Sequence, residues 1–178
     1  MAVCQLCSSA CLNCSVLPTN CTACPPLRIL TGNACPCASN TYLDGSGTCQ
    51  ACSYTCQTCS GSALTCTSCY SGTHRTLLGS TCPCDTGFYD NATVHCQPCS
   101  YTCLTCTSST SCVDCPSGSY RTKQTNGSCT CDSGYYDDGA NAVCLVCSGK
   151  CMSCVHYSQC LSCDSALNRQ LNTSTLTC

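Results

Sequence analysis

Eight cysteines between Cys49 and Cys84 are the residues of this chain best placed to do chemistry: Cys49, Cys52, Cys56, Cys59, Cys66, Cys69, Cys82 and Cys84. Thiols at this density either oxidise to disulfides in a secretory compartment or hold a soft metal ion in a reducing one. The residues between them number two, three, two, six, two, twelve and one, which defines positions a to h of a unit. The same order recurs on both sides of this stretch.

Repeat one uses Cys4, Cys7, Cys11, Cys14, Cys21, Cys24, Cys35 and Cys37. Repeat three uses Cys96, Cys99, Cys103, Cys106, Cys112, Cys115, Cys129 and Cys131, and repeat four uses Cys144, Cys147, Cys151, Cys154, Cys160, Cys163 and Cys178. Starts at 4, 49, 96 and 144 give periods of 45, 47 and 48 residues, the signature of a repeat array. The expected units are 4–48, 49–95, 96–143 and 144–178, the last without its h cysteine. The f-to-g and h-to-next-a segments change length, which marks them as surface loops.

The elements that position these thiols must be small. The chain of 178 residues holds 31 cysteines but only 24 Leu, Ile, Val and Phe, too few for an oily core. Burial alone would not offset about 1–2 kcal/mol of backbone entropy per ordered residue. Three histidines, His74, His95 and His156, occupy no repeated position, so disulfides are expected over metal. The a-to-f segment reads as irregular turns, and the f-to-g segment as a β-hairpin with a polar tip. After h, the strings CASNTYLD, CDTGFYD and CDSGYYDD suit a tight turn that lays a ring over the adjacent disulfide. The expected fold is small and disulfide-rich: an elongated array of four cysteine-rich modules with short β-hairpins, irregular turns and no large hydrophobic core.

The string Cys52-Ser-Tyr-Thr-Cys56-Gln-Thr-Cys59, with Cys66-Thr-Ser-Cys69 and Cys82, resembles the furin-like repeat of proprotein convertases and growth-factor receptor ectodomains. The Ser, Thr and Tyr-rich spelling is similar to that of CxxC-rich surface proteins of ciliates and other protists. Spacing alone leaves 105 pairings of eight cysteines open. The resemblance implies b with d, c with e, f with g, and h with the a of the following unit. On this chain that means Cys7–Cys14, Cys11–Cys21, Cys24–Cys35, Cys37–Cys49, Cys52–Cys59, Cys56–Cys66, Cys69–Cys82 and Cys84–Cys96. It continues with Cys99–Cys106, Cys103–Cys112, Cys115–Cys129, Cys131–Cys144, Cys147–Cys154, Cys151–Cys160 and Cys163–Cys178. Cys4 is left over, an a position whose h partner is expected upstream in a longer array; a free or intermolecular thiol is the other possibility. Each bridge closing a short loop removes about 2–3 kcal/mol of denatured-state freedom in the chain-entropy model.

All four arginines follow f: Arg28, Arg75, Arg121 and Arg169, and an aspartate recurs after h at Asp44, Asp90 and Asp137. Each arginine is expected to lean on a Tyr ring or pair with such an aspartate, with a solvated surface charge as the plain alternative. Five N-glycosylation acceptors are present: Asn13, Asn20, Asn91, Asn126 and Asn172. Asn13 and Asn20 rank behind the others because a cysteine stands in the middle of each motif. The sequence contains no nucleophile–base–acid motif, no phosphate-cradling glycine loop and no Glu. The CxxC pairs lack a thioredoxin-like setting, and Asp137-Asp138-Gly139 lacks the spacing of a calcium loop.

No enzyme, cofactor or metal site is expected. A net charge of −2 with six basic residues offers no footprint for nucleic acid, and no stretch is long and apolar enough for a membrane span. The expected role is structural: an extracellular or cell-surface, glycosylated, disulfide-locked rod in a cell coat or extracellular filament. Its expected partners are N-linked glycans, with O-linked ones on Ser and Thr as a further option, and further copies of itself or neighbouring repeats. A receptor or adhesin ectodomain that binds a protein or glycan is the alternative.

Overall fold

The computed structural model describes residues 5–178, so Cys4 lies outside the described residues. Fifteen disulfides join the described cysteines, and most residues buried below a tenth of their surface are halves of one. Each repeat contains three bridges in the order b–d, c–e, f–g. They are Cys7–Cys14, Cys11–Cys21 and Cys24–Cys35; Cys52–Cys59, Cys56–Cys66 and Cys69–Cys82; Cys99–Cys106, Cys103–Cys112 and Cys115–Cys129; and Cys147–Cys154, Cys151–Cys160 and Cys163–Cys178. Three more, Cys37–Cys49, Cys84–Cys96 and Cys131–Cys144, run from h to the a of the next repeat.

The strands are short and pair only as antiparallel two-stranded ribbons. Repeat one has Asn13–Cys14 (β1) with Cys21–Ala23 (β2), followed by Thr41–Leu43 (β3) with Cys49–Ala51 (β4). Next come Thr58–Cys59 (β5) with Cys66–Ser68 (β6), and Phe88–Tyr89 (β7) with Gln97–Pro98 (β8). Repeat three pairs Thr105–Cys106 (β9) with Cys112–Asp114 (β10), Arg121–Lys123 (β11) with Cys129–Cys131 (β12), and Tyr135–Tyr136 (β13) with Leu145–Val146 (β14). Repeat four pairs Cys151–His156 (β15) with Gln159–Cys163 (β16), and a single 3-10 turn covers Ser165–Leu167.

Two expectations need correction. The a-to-f segment is not wholly irregular, because the stretch from d to e folds back as a hairpin in every repeat. Its two strands are held by the b–d and c–e bridges and, in repeat two, by hydroxyl pairs from Thr58 to Thr67 and Ser68 at 2.6 Å. This hairpin also varies in length, as the c–e separation falls from 10 in repeats one and two to 9 in repeats three and four. The ring after h covers a different disulfide from the expected one. Tyr42 packs on the buried Cys56, Cys59, Cys66 and Cys82 of repeat two, and Tyr136 on Cys147, Cys151, Cys154 and Cys160 of repeat four. The β3–β4 and β13–β14 ribbons carry the chain past its own cystines and onto those of the following module.

The f-to-g hairpins close tightly in repeats one and two. Thr31 pairs with Ala34 and Leu78 with Thr81, so only Gly32-Asn33 and Gly79-Ser80 remain at the tips. Gly32 and Gly79 both have φ of 60°, as a two-residue turn with glycine first requires.

Contacts divide the molecule into two compact bodies: the chain through Cys84 with Ala92–Cys96, and Asp85–Asn91 with Gln97–Cys178. Within each, cystine clusters replace the apolar core. Cys11, Cys21 and Cys35 form one cluster in the first body, and Cys103, Cys112 and Cys129 one in the second.

Candidate functional site

The four arginines mark the most regular polar feature of the fold. The residue before each has a left-handed backbone: Leu27 (φ 63°), His74 (55°), Tyr120 (53°) and Asn168 (51°). That conformation costs a non-glycine residue about 1–2 kcal/mol, so the surroundings must hold it. Part of the hold is visible, since the carbonyl of Leu27 accepts from the Ala38 N–H at 2.8 Å and that of Tyr120 from Asp132 at 2.9 Å. The following arginine pairs its backbone with the h cysteine in repeats one to three: Arg28 with Cys37, Arg75 with Cys84, Arg121 with Cys131.

From there the guanidinium reaches across the repeat. In each of the first three repeats it donates to the carbonyl of the g cysteine: Arg28 to Cys35 at 2.8 Å, Arg75 to Cys82 at 3.0 Å, Arg121 to Cys129 at 3.3 Å. Its remaining donors go to the loop leading to the next a cysteine. Arg75 holds the carbonyls of Thr93 and Val94, both at 2.9 Å. Arg121 holds Asn141 at 3.1 Å and Ala142 at 2.7 Å. Each side chain thus ties its own f–g hairpin to the loop that leads into the next repeat. A rigid fork with five donors suits this task where a lysine would not.

Arg75 and Arg121 are buried, and each lies over a tyrosine two residues past b. Their guanidinium carbons stand 5.6 Å from the ring centroids of Tyr54 and Tyr101. Arg121 also donates to Asp137 Oδ2 at 2.8 Å, and the Tyr101 hydroxyl donates to Asp137 Oδ1 at 3.0 Å. The Arg121 hydrogen bond holds the Asp137 carboxyl below its usual range, while burial and the bond to Asp137 push the Tyr101 phenol up.

Repeats one and four depart from this pattern, and both lack the tyrosine. Where Tyr54 and Tyr101 stand, repeat one has Ser9 and repeat four Gly149. Arg28 is only partly buried and gives its second bond to Gly47 at 2.6 Å. Asp44 does not receive it; that carboxylate caps its own loop, accepting from Ser46, Thr48 and Gln50, which together lower its pKa to about 2. Arg169 makes no hydrogen bond, ion pair or ring contact among the described residues.

Two sets of small polar residues that the sequence reading did not single out complete the frame. A serine follows b in every repeat, and its carbonyl accepts from the c cysteine N–H: Ser8, Ser53, Ser100 and Ser148, at 2.8–2.9 Å. Thr73 and Ser119, both buried, turn their carbonyls to the N–H of Cys96 and Cys144. Their recurrence two residues before the arginine was the available signal.

The sequons sit apart from this frame. Asn13 lies on β1 and Asn20 beside it, each with its middle cysteine locked in a bridge. Asn91, Asn126 and Asn172 are exposed, the last two at the tips of f-to-g hairpins. Among the described residues no group of three His, Cys, Asp or Glu could hold a metal, and no helix is long and apolar enough to cross a membrane. The chain matches no family model, no curated protein and no solved structure.

Proposed function

We propose that this chain is a structural protein of the cell exterior, a disulfide-locked rod of furin-like modules built into a cell-surface coat or extracellular filament and carrying sugars. Fifteen disulfides in 178 residues is a composition suited to an oxidising compartment. The observation that carries the reading is the doubled lock between consecutive modules. The covalent bridge from h to a recurs three times, and on the same loops the arginine fork holds carbonyls beside it. Such locks close the loop that leads from one module into the next, and the donors of these side chains are used on the chain's own carbonyls. A protein selected to keep distance and resist proteolysis needs this and little else.

A second reading, a receptor or adhesin ectodomain, is favoured by one observation. Repeat four exposes Met152, Val155, Tyr157 and Leu161 at half or more of their surface, and Tyr157 has no counterpart in the other repeats. Electron microscopy of the oxidised protein separates the two. The structural reading expects slender particles that join end to end as concentration rises. Monodisperse particles that stay single and saturate a cell-surface ligand would replace it with the binding reading.

A further inference from the structure

Proteins that pass through a secretory compartment meet the transferase that couples sugar to asparagine, and this structure separates four of the five acceptors by geometry. Asn126 stands at the tip of the β11–β12 hairpin, exposed to solvent. Its side-chain oxygen accepts from both the Ser128 N–H at 3.0 Å and the Ser128 hydroxyl at 2.7 Å. Its nitrogen donates to nothing among the described residues, so the group that must react is unengaged. Gly127 between them has φ of 82°, and the tip is held in this turn by the Cys112 N–H donating to the Gly127 carbonyl at 2.7 Å and the Gly127 N–H to that of Gln124 at 3.0 Å.

Asn172 shares the hairpin-tip location but receives only backbone N–H groups, from Ser174 at 3.0 Å and Thr175 at 3.2 Å. The hydroxyl of its motif is not engaged. Asn13 and Asn20 are spoiled by oxidation. Cys14 is tied to Cys7 and Cys21 to Cys11, and Asn20 is partly buried with its backbone bonded to Ser15 and Leu17. An acceptor motif bridged through its middle residue cannot be drawn out into a transferase groove.

We propose that Asn126 is an occupied N-glycosylation site of this protein and that Asn13 and Asn20 stay bare. The inference rests on the extracellular reading above. In the transfer, Asn126 Nδ2 gives a proton to a base of the transferase and forms a bond to the anomeric carbon of a lipid-pyrophosphate-linked oligosaccharide. The bond from that carbon to the pyrophosphate oxygen breaks, and the lipid pyrophosphate leaves with the electron pair. The glycan then projects from a hairpin tip without displacing any protein contact.

The test is to express the whole chain through a eukaryotic secretory pathway and map it twice. Deglycosylation in heavy-oxygen water marks each formerly occupied asparagine, and alkylation without reduction counts free thiols. The label is expected at Asn126 and absent from Asn13 and Asn20. Asn126→Gln and Ser128→Ala should each lose one glycan mass with the disulfide map unchanged, while Ser128→Thr keeps it. A bare Asn126, or label at Asn13 or Asn20, in protein whose fifteen bridges are intact overturns the inference and leaves the structural reading standing. Free thiols throughout the repeats would instead overturn the oxidised extracellular reading on which it rests.

Discussion

Arg121 and Asp137 meet at 2.8 Å across repeat three, and the carboxylate they share with the Tyr101 hydroxyl closes a triangle of three side chains. The three come from the b–c turn, the f–g hairpin and the segment after h. A charge buried as deeply as Arg121 needs its nitrogens matched, and each of the three is: they reach two loop carbonyls, the Cys129 carbonyl and the Asp137 carboxylate. No buried side-chain nitrogen or oxygen among the described residues lacks a partner.

Removing that guanidinium leaves carbonyls and a carboxylate without their donor. Arg121→Ala should destabilise repeat three by about 2–4 kcal/mol, since each orphaned buried acceptor costs about 1–3 kcal/mol. Arg121→Lys should recover less than half, because an ammonium cannot span the same acceptors. Arg169→Ala should stay within about 0.5 kcal/mol, the range of an unengaged surface residue. Guanidinium titration of the oxidised protein with hydrogen exchange at the Cys144 amide measures all three. Equal effects of Arg121→Ala and Arg169→Ala would refute the clamp.

Acid should weaken the same triangle. The Asp137 carboxyl is held below its unfolded value, chiefly by the Arg121 hydrogen bond, so its contribution is present above the ordinary carboxylate pKa. It is lost as pH falls through the lowered one. Stability followed from pH 6 to pH 2 should therefore drop, and Asp137→Asn should flatten part of that slope. Tyr101→Phe should cost about 1 kcal/mol at neutral pH, the worth of one hydrogen bond. A slope in Asp137→Asn as steep as in the parent would show that other carboxylates carry the dependence.

The fold was largely legible because its core is written in one letter. Cysteine spacing carries the period, and the connectivity in the structure is the one the furin-like resemblance implies. The arginines were legible as a recurring position; their acceptors were not, because a backbone carbonyl has no sequence signature. Arg28 shows the limit: Asp44 follows h as Asp137 does, yet the turn Asp44-Gly45-Ser46 offers that carboxylate nearer donors. The target of the rings was hidden for a different reason. A residue five past h looks local until the β3–β4 ribbon is seen to carry Tyr42 beyond its own cystines.

That displacement makes a non-local prediction. Tyr42→Ala should strip cover from the cystines of repeat two, at less than the about 3–5 kcal/mol of a fully buried ring because Tyr42 is partly buried. Protection from hydrogen exchange should fall at the Cys56 and Cys66 amides of repeat two, while the Cys11 and Cys21 amides of repeat one keep theirs. Loss confined to repeat one would mean the ring serves its own module.

The lock between modules can be opened one half at a time. The Cys131–Cys144 bridge closes a separation of 13 residues, and the chain-entropy model gives such a loop about 3 kcal/mol. In Cys131→Ser with Cys144→Ser the Arg121 fork still holds Asn141 and Ala142 beside the missing bridge. This double variant should fold, lose about 2–4 kcal/mol, and gain a protease-sensitive site between Asp137 and Cys144. Adding Arg121→Ala removes the second half, and the loss should then exceed the sum of the two alone. Both act on one loop, and neighbouring groups that share a loop are not independent. A thermodynamic cycle over the parent, the two partial variants and the full one yields the coupling directly. A coupling below about 0.5 kcal/mol would mean that bridge and arginine hold the loop separately, and the doubled lock would lose its mechanical meaning.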